Sequence, residues 1–434
     1  MAVLTMDGAG DVLEKAEIAV KGNEIYHVGA AGATPPDFKP GRVLDCPGLV
    51  AMPGFVNCHT HAAMTLFRGY ADDMPLMSWL KEKIWPLEKH LTPEHIYKGA
   101  QLCCAEMVRG GTTTFADMYF AMDRVAQAVE ESGLRAVLCR GMIGLGPGAE
   151  QSMRESKEFI ARWHGGADGR VTAMFGPHAP YTCPPEYLER VIEAAEEAGV
   201  GIHIHLAETR DEINEIMEKY GRSPVVLMEE TGLFKLPVLA AHCVHLDDRD
   251  IEILAGRRVG IAHNPQSNMK LASGVAPVTK LLEAGALVGL GTDGAASNNN
   301  LDMMEEMRAA ALLQKVHTQN ATALPAGEML RMATAGGAEV LGLGDRVGRI
   351  APGMLADIIL IDMRKPHLYP LHDLYAHIAY AAVSSDVHTV IVDGKVVMEN
   401  RLVMTLDEDA VLAGAQAGAE SLIRAKEAEK WQGK

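Results

Sequence analysis

The chain has 434 residues, 48% of them hydrophobic and 22% charged, with a formal net charge of −17. That length accommodates two or three domains, or one large barrel with an attachment, and the composition supplies a large core. The acidic balance argues against nucleic acid or an anionic membrane surface as a partner, and no apolar run reaches the length of a membrane-spanning helix.

The opening MAVLTMDGAGDVLEK lacks the basic and apolar regions of a signal peptide, and the seven cysteines follow no paired spacing. Both features point to reduced thiols in a cytoplasmic protein. AEIAVKGNEIYHVG then reads as two strands about a turn at Gly22 and Asn23. In PGFVNCHTH, an apolar run ends at His59 and His61. Residues two apart share one face of a strand, so this pair aims two imidazoles at one point, as metal ligation requires. An isolated pair would serve equally well as one core and one exposed histidine.

Thr92 and Pro93 form an N-cap followed by proline at the first helical position, and Ile96, Ala100, Cys103 and Met107 recur at helical spacing. Gly110 and Gly111 stop that helix before TTTFADM. The unit recurs: PEYLERVIEAAEEAG leads into VGIHIHL, and VTKLLEAG into ALVGLGTDG. Repeated over roughly 290 residues, it predicts a parallel α/β architecture, for which a (β/α)8 TIM barrel suits the length best. An open doubly wound sheet is the alternative, weakened by the lack of a G-x-x-x-x-G-K-[ST] phosphate loop. Beyond about residue 345, GRIAPGMLADIILID and VHTVIVDGKVVME are again β-rich. The expected organisation is a barrel over 54–344, with a small β-sandwich domain built from 1–53 and 345–434, C-terminal helix included.

In a barrel, chemistry belongs at the C-terminal strand ends. HIHLAE places His203 and His205 on one face, with Glu208 just beyond. AAHCVHL ends in His242 and His245, three apart, so within a strand only one faces inward. GTDG ends a strand at Asp293. Taken singly, His203 reads as a buried structural histidine, His245 as an outward or capping residue, and Asp293 as a turn aspartate. Glu208 alone reads as a solvated residue or part of a helix start. Together, imidazoles and carboxylates at the ends of apolar strands suit a first-row divalent metal, with spare carboxylates for acid/base work.

PGFVNCHTH, HLAE, AHCVH and GTDG, in that order, together with GRIAPGMLADIILID, resemble the amidohydrolase superfamily over nearly the whole chain. The resemblance implies a metal-dependent hydrolase with His59, His61, His205 and Asp293 as ligands and Glu208, His242 and Asp293 as catalytic groups. Between Phe115 and Arg170 no lysine stands where many binuclear relatives carry a bridging lysine, since Lys157 falls in a predicted helix. One divalent ion is therefore expected, Zn2+ or else Fe2+. The H-x-x-E spacing of His205 and Glu208 is typical of the deaminase branch. HTHAAMTLFRGYADDMPLMSWLKEKIWPLEKHLT, FGPHAPY, AHNPQSNMKLASGVAPV and GTDGAASNNNLDMMEEMR are most similar to the 5′-methylthioadenosine/S-adenosylhomocysteine deaminase group.

That likeness implies an adenine nucleoside thioether as substrate, with Trp79, Glu88, Arg140, His178 and Glu208 contacting it. Some relatives have a second arginine where Ser152 stands here, and Arg154 two residues on is the candidate replacement. A homo-oligomer is the expected assembly. A guanine or cytosine deaminase, or a triazine-type hydrolase, shares the same strand-end motifs. A catalytically inactive barrel serving as a binding protein would lack the ligand residues that this chain retains.

Overall fold

The computed structural model describes residues 1–8 and 12–432. The barrel strands are β1 (Phe55–Thr60), β2 (Thr112–Tyr119), β3 (Arg135–Met142), β4 (Val171–Pro177), β5 (Ile202–Leu206), β6 (Val238–His242), β7 (Gly260–His263) and β8 (Leu287–Leu290). Each pairs in parallel with the next in sequence. Helices cover the outside, so the strands are buried on both faces and read as nearly continuous apolar runs.

The seam between β8 and β1 is closed partly by a side chain. The Asp293 amide donates to the His59 carbonyl at 2.9 Å. Asn57 donates through Nδ2 to Thr292 Oγ1 at 2.7 Å and accepts the Thr292 amide through Oδ1 at 3.0 Å. Gly291 permits this approach: a Cβ there would lie 2.3 Å from Asn264 Oδ1 and 2.9 Å from the His59 amide nitrogen. Closure therefore brings His59 and Asp293 together.

The helix Pro93–Gly110 begins and ends as its sequence predicts. Thr92 caps it with a side-chain acceptor, Pro93 occupies its first position, and Gly111 leaves it in the left-handed region at φ +85°. Ile96, Ala100, Cys103 and Met107 form its buried stripe.

The two chain ends share a seven-stranded sheet. Leu49–Pro53 pairs antiparallel with Ile358–Asp362, and the hairpin Ala16–Lys21 and Glu24–Ala30 turns at Gly22 and Asn23. The hairpin packs on the sheet through Ala16 and Ile25, against Val3, Ala51, Ile358 and Leu360. Sheet and barrel meet at Arg135, which is 2% exposed. Its guanidinium donates to Asp357 at 2.9 and 3.2 Å and to Asp393 at 3.2 Å.

The C-terminal helix Glu408–Gln432 departs from the expected grouping, for it lies on the barrel. Leu422 joins the main core beside Ile96 and Phe67, Lys426 donates to the Tyr70 hydroxyl at 2.7 Å, and His95 Nε2 meets Ser421 Oγ at 2.6 Å. Arg109, on the barrel helix, holds its start through Glu408 at 2.7 Å. No described helix is long and apolar enough to cross a membrane.

Candidate active site

The strand ends of β1, β5 and β6, and the turn after β8, carry the chemistry-bearing residues to one mouth of the barrel. Ala207, His242, Cys243 and Asp293 take positive φ values of +53°, +75°, +48° and +58°. Left-handed backbone is costly for residues other than glycine and clusters where side chains are aimed for function.

Four donors converge. His61 Nε2 lies 3.3 Å from Asp293 Oδ1 and 3.3 Å from His205 Nε2, and His59 Nε2 lies 3.5 Å from Asp293 Oδ1. His59 Nε2 is buried without a hydrogen-bond partner, an orphan that a cation would satisfy. Three imidazole nitrogens and one carboxylate oxygen form a donor set suited to a first-row divalent ion. A ring nitrogen of His242 also falls within 4.8 Å of those of His59 and His205. Burial pushes His59 down to about 4 and His205 well below the usual imidazole range, which keeps both in the neutral, ligating form.

The orientations of these rings are fixed from behind. His61 Nδ1 donates to the Met118 carbonyl at 2.6 Å and His205 Nδ1 to the His178 carbonyl at 2.7 Å, leaving both Nε2 lone pairs facing inward. His59 Nδ1 instead meets His203 Nε2 at 2.9 Å. His203 is therefore one layer below the site, buried, as its structural reading has it. Asp293 accepts the Gly294 amide at 2.7 Å through Oδ1, and Ser267 and Ser297 hydroxyls at 2.6 and 2.7 Å through Oδ2. Burial alone would raise its pKa, but the imidazoles of His59, His61 and His242 outweigh it and hold the carboxyl well below its usual range.

Glu208 and His242 stand beside this group, with Glu208 Oε2 3.8 Å from His242 Nε2. Burial raises the Glu208 pKa against the opposing pull of His242. For His242, burial works downward, but Glu208, Asp293 and the Asn268 side chain outweigh it and raise the value. Its Nδ1 donates to Asn268 Oδ1 at 2.9 Å, so Nε2 faces Glu208. A carboxyl lifted toward neutrality next to an oriented imidazole is suited to proton transfer.

A cavity opens over these groups, with Trp79, Glu88 and His178 in its wall beside Leu80, Trp85, Tyr119, Phe120, Ile143 and Tyr181. Trp79 spends its indole N–H on the Ala71 carbonyl at 3.0 Å, so its ring serves as an apolar wall. Half-buried Glu88 accepts the Tyr119 hydroxyl at 2.6 Å, and burial raises its pKa. Both come from a segment whose middle, Leu80–Ile84, is π-helical, a distortion that often marks functional sites.

Arg140 and Arg154 do not reach the cavity. On β3, Gly141 lines it, so strand alternation turns Arg140 to the opposite, helix-covered face. There its guanidinium donates to Glu155 at 2.5 Å and to the Gly141 carbonyl at 2.6 Å. Arg154 is exposed on the helix Ala149–Trp163, and Ser152 turns back onto the Gly148 carbonyl at 2.8 Å. Lys157, on the same helix, pairs with Glu197 at the surface. The cavity lining therefore holds neither lysine nor arginine. His245, half-buried, bonds the Ser273 carbonyl at 2.7 Å, a tie between loops.

Sequence reasoning passed over Ser267, Ser297 and Tyr181. Ser297 had a signal, since it stands four residues beyond Asp293 in a short helical turn, Ala295–Asn298.

Residues 50–397 match the model of the Amidohydrolase family. A 5-methylthioadenosine/S-adenosylhomocysteine deaminase of Pelotomaculum thermopropionicum is 66% identical over 421 residues, 97% of each chain. A 5'-deoxyadenosine deaminase of Methanosarcina mazei is 52% identical over 424 residues, covering 97% of this chain and 96% of the relative. The crystal structure of an adenosine deaminase from Xanthomonas campestris with bound zinc superposes with a TM-score of 0.94 at 36% identity, covering 98% of this chain and 97% of that one. The chain belongs to the amidohydrolase family.

Proposed function

We propose that this protein is a metal-dependent hydrolytic deaminase of adenine nucleosides bearing a 5′ thioether or 5′-deoxy group. The ring amine is exchanged for oxygen: the nucleoside and water give the inosyl product and ammonia. The observation that carries this reading is Glu208 and His242 standing beside the His59, His61, His205 and Asp293 donor set, at the floor of a largely apolar cavity. The names of the relatives from Pelotomaculum and Methanosarcina support the nucleoside class.

Those four donors would hold one divalent ion, zinc by analogy with the Xanthomonas neighbour, and such an ion supplies a hydrolytic nucleophile at neutral pH. Glu208 protonates the ring nitrogen next to the carbon under attack, for which its raised pKa suits it, and recovers a proton from the added hydroxyl as the carbonyl forms and the amine departs. Asp293 takes a proton from the attacking water and returns it to the departing amine, while Ser267 and Ser297 keep its carboxylate oriented. His242, fixed by Asn268, orients the nucleophile and stabilises developing charge. Trp79 walls the base pocket, and Glu88 accepts ribose hydroxyls.

Metal-loaded protein given 5′-methylthioadenosine tests this. One ammonia per nucleoside consumed, with the glycosidic bond intact, is expected. Free adenine as the product would overturn the reading.

A further inference from the structure

One buried carboxylate takes no part in the scheme above. Glu212, 3% exposed, sits at the third position of the helix Arg210–Tyr220, whose N-cap is Thr209. A glutamate at that position ordinarily reaches back to the amide of the capping residue itself. Glu212 passes over Thr209 and takes the two amides before it: Oε1 accepts from Ala207 at 2.9 Å and Oε2 from Glu208 at 2.9 Å. Among the described residues no ion pair holds it; burial lifts its pKa to about 7, and the two amide bonds oppose that lift and favour the ionised, doubly accepting form.

The peptide it grips is unusual. Ala207 is held at φ +53°, and its carbonyl accepts the amides of Val244 and His245 at 3.0 and 2.9 Å. Those two residues follow His242 and Cys243, which are themselves at positive φ. The turn that presents Glu208 is thus clamped from one side by Glu212 and tied on the other to the turn that presents His242.

We propose that Glu212 is a positioning residue, whose carboxylate fixes the backbone of Ala207 and Glu208 and thereby sets the Glu208 side chain against His242 and the substrate ring. This rests on the deaminase reading above. The bidentate grip needs two acceptor oxygens at full glutamate length. Glutamine presents an N–H to one of the two amides, and aspartate is one methylene too short to span both.

The test uses the full chain, metal-loaded, with 5′-methylthioadenosine. Glu212→Gln is expected to lower kcat about 100-fold, the usual cost of a misplaced reacting group, with KM and bound metal unchanged. In a Glu208→Gln background the same substitution is expected to add nothing further, because it acts through Glu208. Should Glu212→Gln not fold, Glu212→Asp carries the same expectation. Wild-type kcat in a folded Glu212 variant, or full additivity with Glu208→Gln, would overturn the proposal. Wild-type protein that releases no ammonia from any adenine nucleoside would instead overturn the deaminase reading.

Discussion

His61 and His205 are oriented by backbone carbonyls, whereas His59 is oriented by another side chain, His203. Its ring orientation, and with it the proposed ligation, is therefore open to mutation. His203→Ala is expected to weaken metal affinity roughly 10- to 100-fold, as loss of a ligand's supporting hydrogen bond generally does. Competition against a chelator measures it, and unchanged affinity would mean that packing alone orients His59. At this scale the sequence was most legible where residue type and strand period act together. The convergence of His59, His61, His205 and Asp293 was foreshadowed by their place at the ends of apolar strands, and it was the resemblance to the amidohydrolase superfamily that singled them out as a set. Ser267, Ser297 and Glu212 could not be read, because hydroxyls and acids near helix starts are common for capping reasons alone. Arg140, expected from the resemblance to contact substrate, lies outside the cavity lining here, since one step along a strand reverses the face.

Among the elements, the junction between barrel and terminal sheet depends on Arg135, whose charge is compensated by Asp357 and Asp393. Arg135→Met would leave two buried carboxylates without a cation, and is expected to cost about 3–5 kcal/mol in chemical denaturation. A loss below about 1 kcal/mol would mean that the junction does not depend on this charge compensation. His263, at the end of β7, is 1% exposed with both ring nitrogens unpartnered, and burial pushes its pKa down to about 3. The unfolded chain gains that proton near pH 6.5, so its contribution is lost as pH falls from there toward 3. Buried carboxyls such as Asp117, raised by burial to about 7, pull the other way, so the comparison with a variant isolates the histidine. The stability gap between wild type and His263→Gln should shift in the variant's favour by about 1.4 kcal/mol per pH unit below 6.5. A gap independent of pH would show that the imidazole is hydrated. Element positions such as Thr92–Gly111 were legible from caps and stops. The docking of Glu408–Gln432 was not, since a thin stripe of Val411, Ala415 and Leu422 says that a helix packs but not on which domain.

Over the whole molecule, an acidic chain encloses a reaction cavity whose wall contains no lysine or arginine. Apolar Trp85, Phe120 and Ile143 stand at its mouth, where each remains 36% exposed or more. Such a lining is expected to favour a neutral apolar 5′ substituent over one ending in a carboxylate or phosphate. The most direct measurement is ammonia release by metal-loaded protein from 5′-methylthioadenosine, S-adenosylhomocysteine, adenosine, guanine and cytosine in parallel. Fast release from 5′-methylthioadenosine is predicted, with kcat/KM about tenfold or more above S-adenosylhomocysteine, the worth of one missing charge-assisted hydrogen bond, and no release from the bare bases. Release from guanine or cytosine without release from any nucleoside would contradict the account.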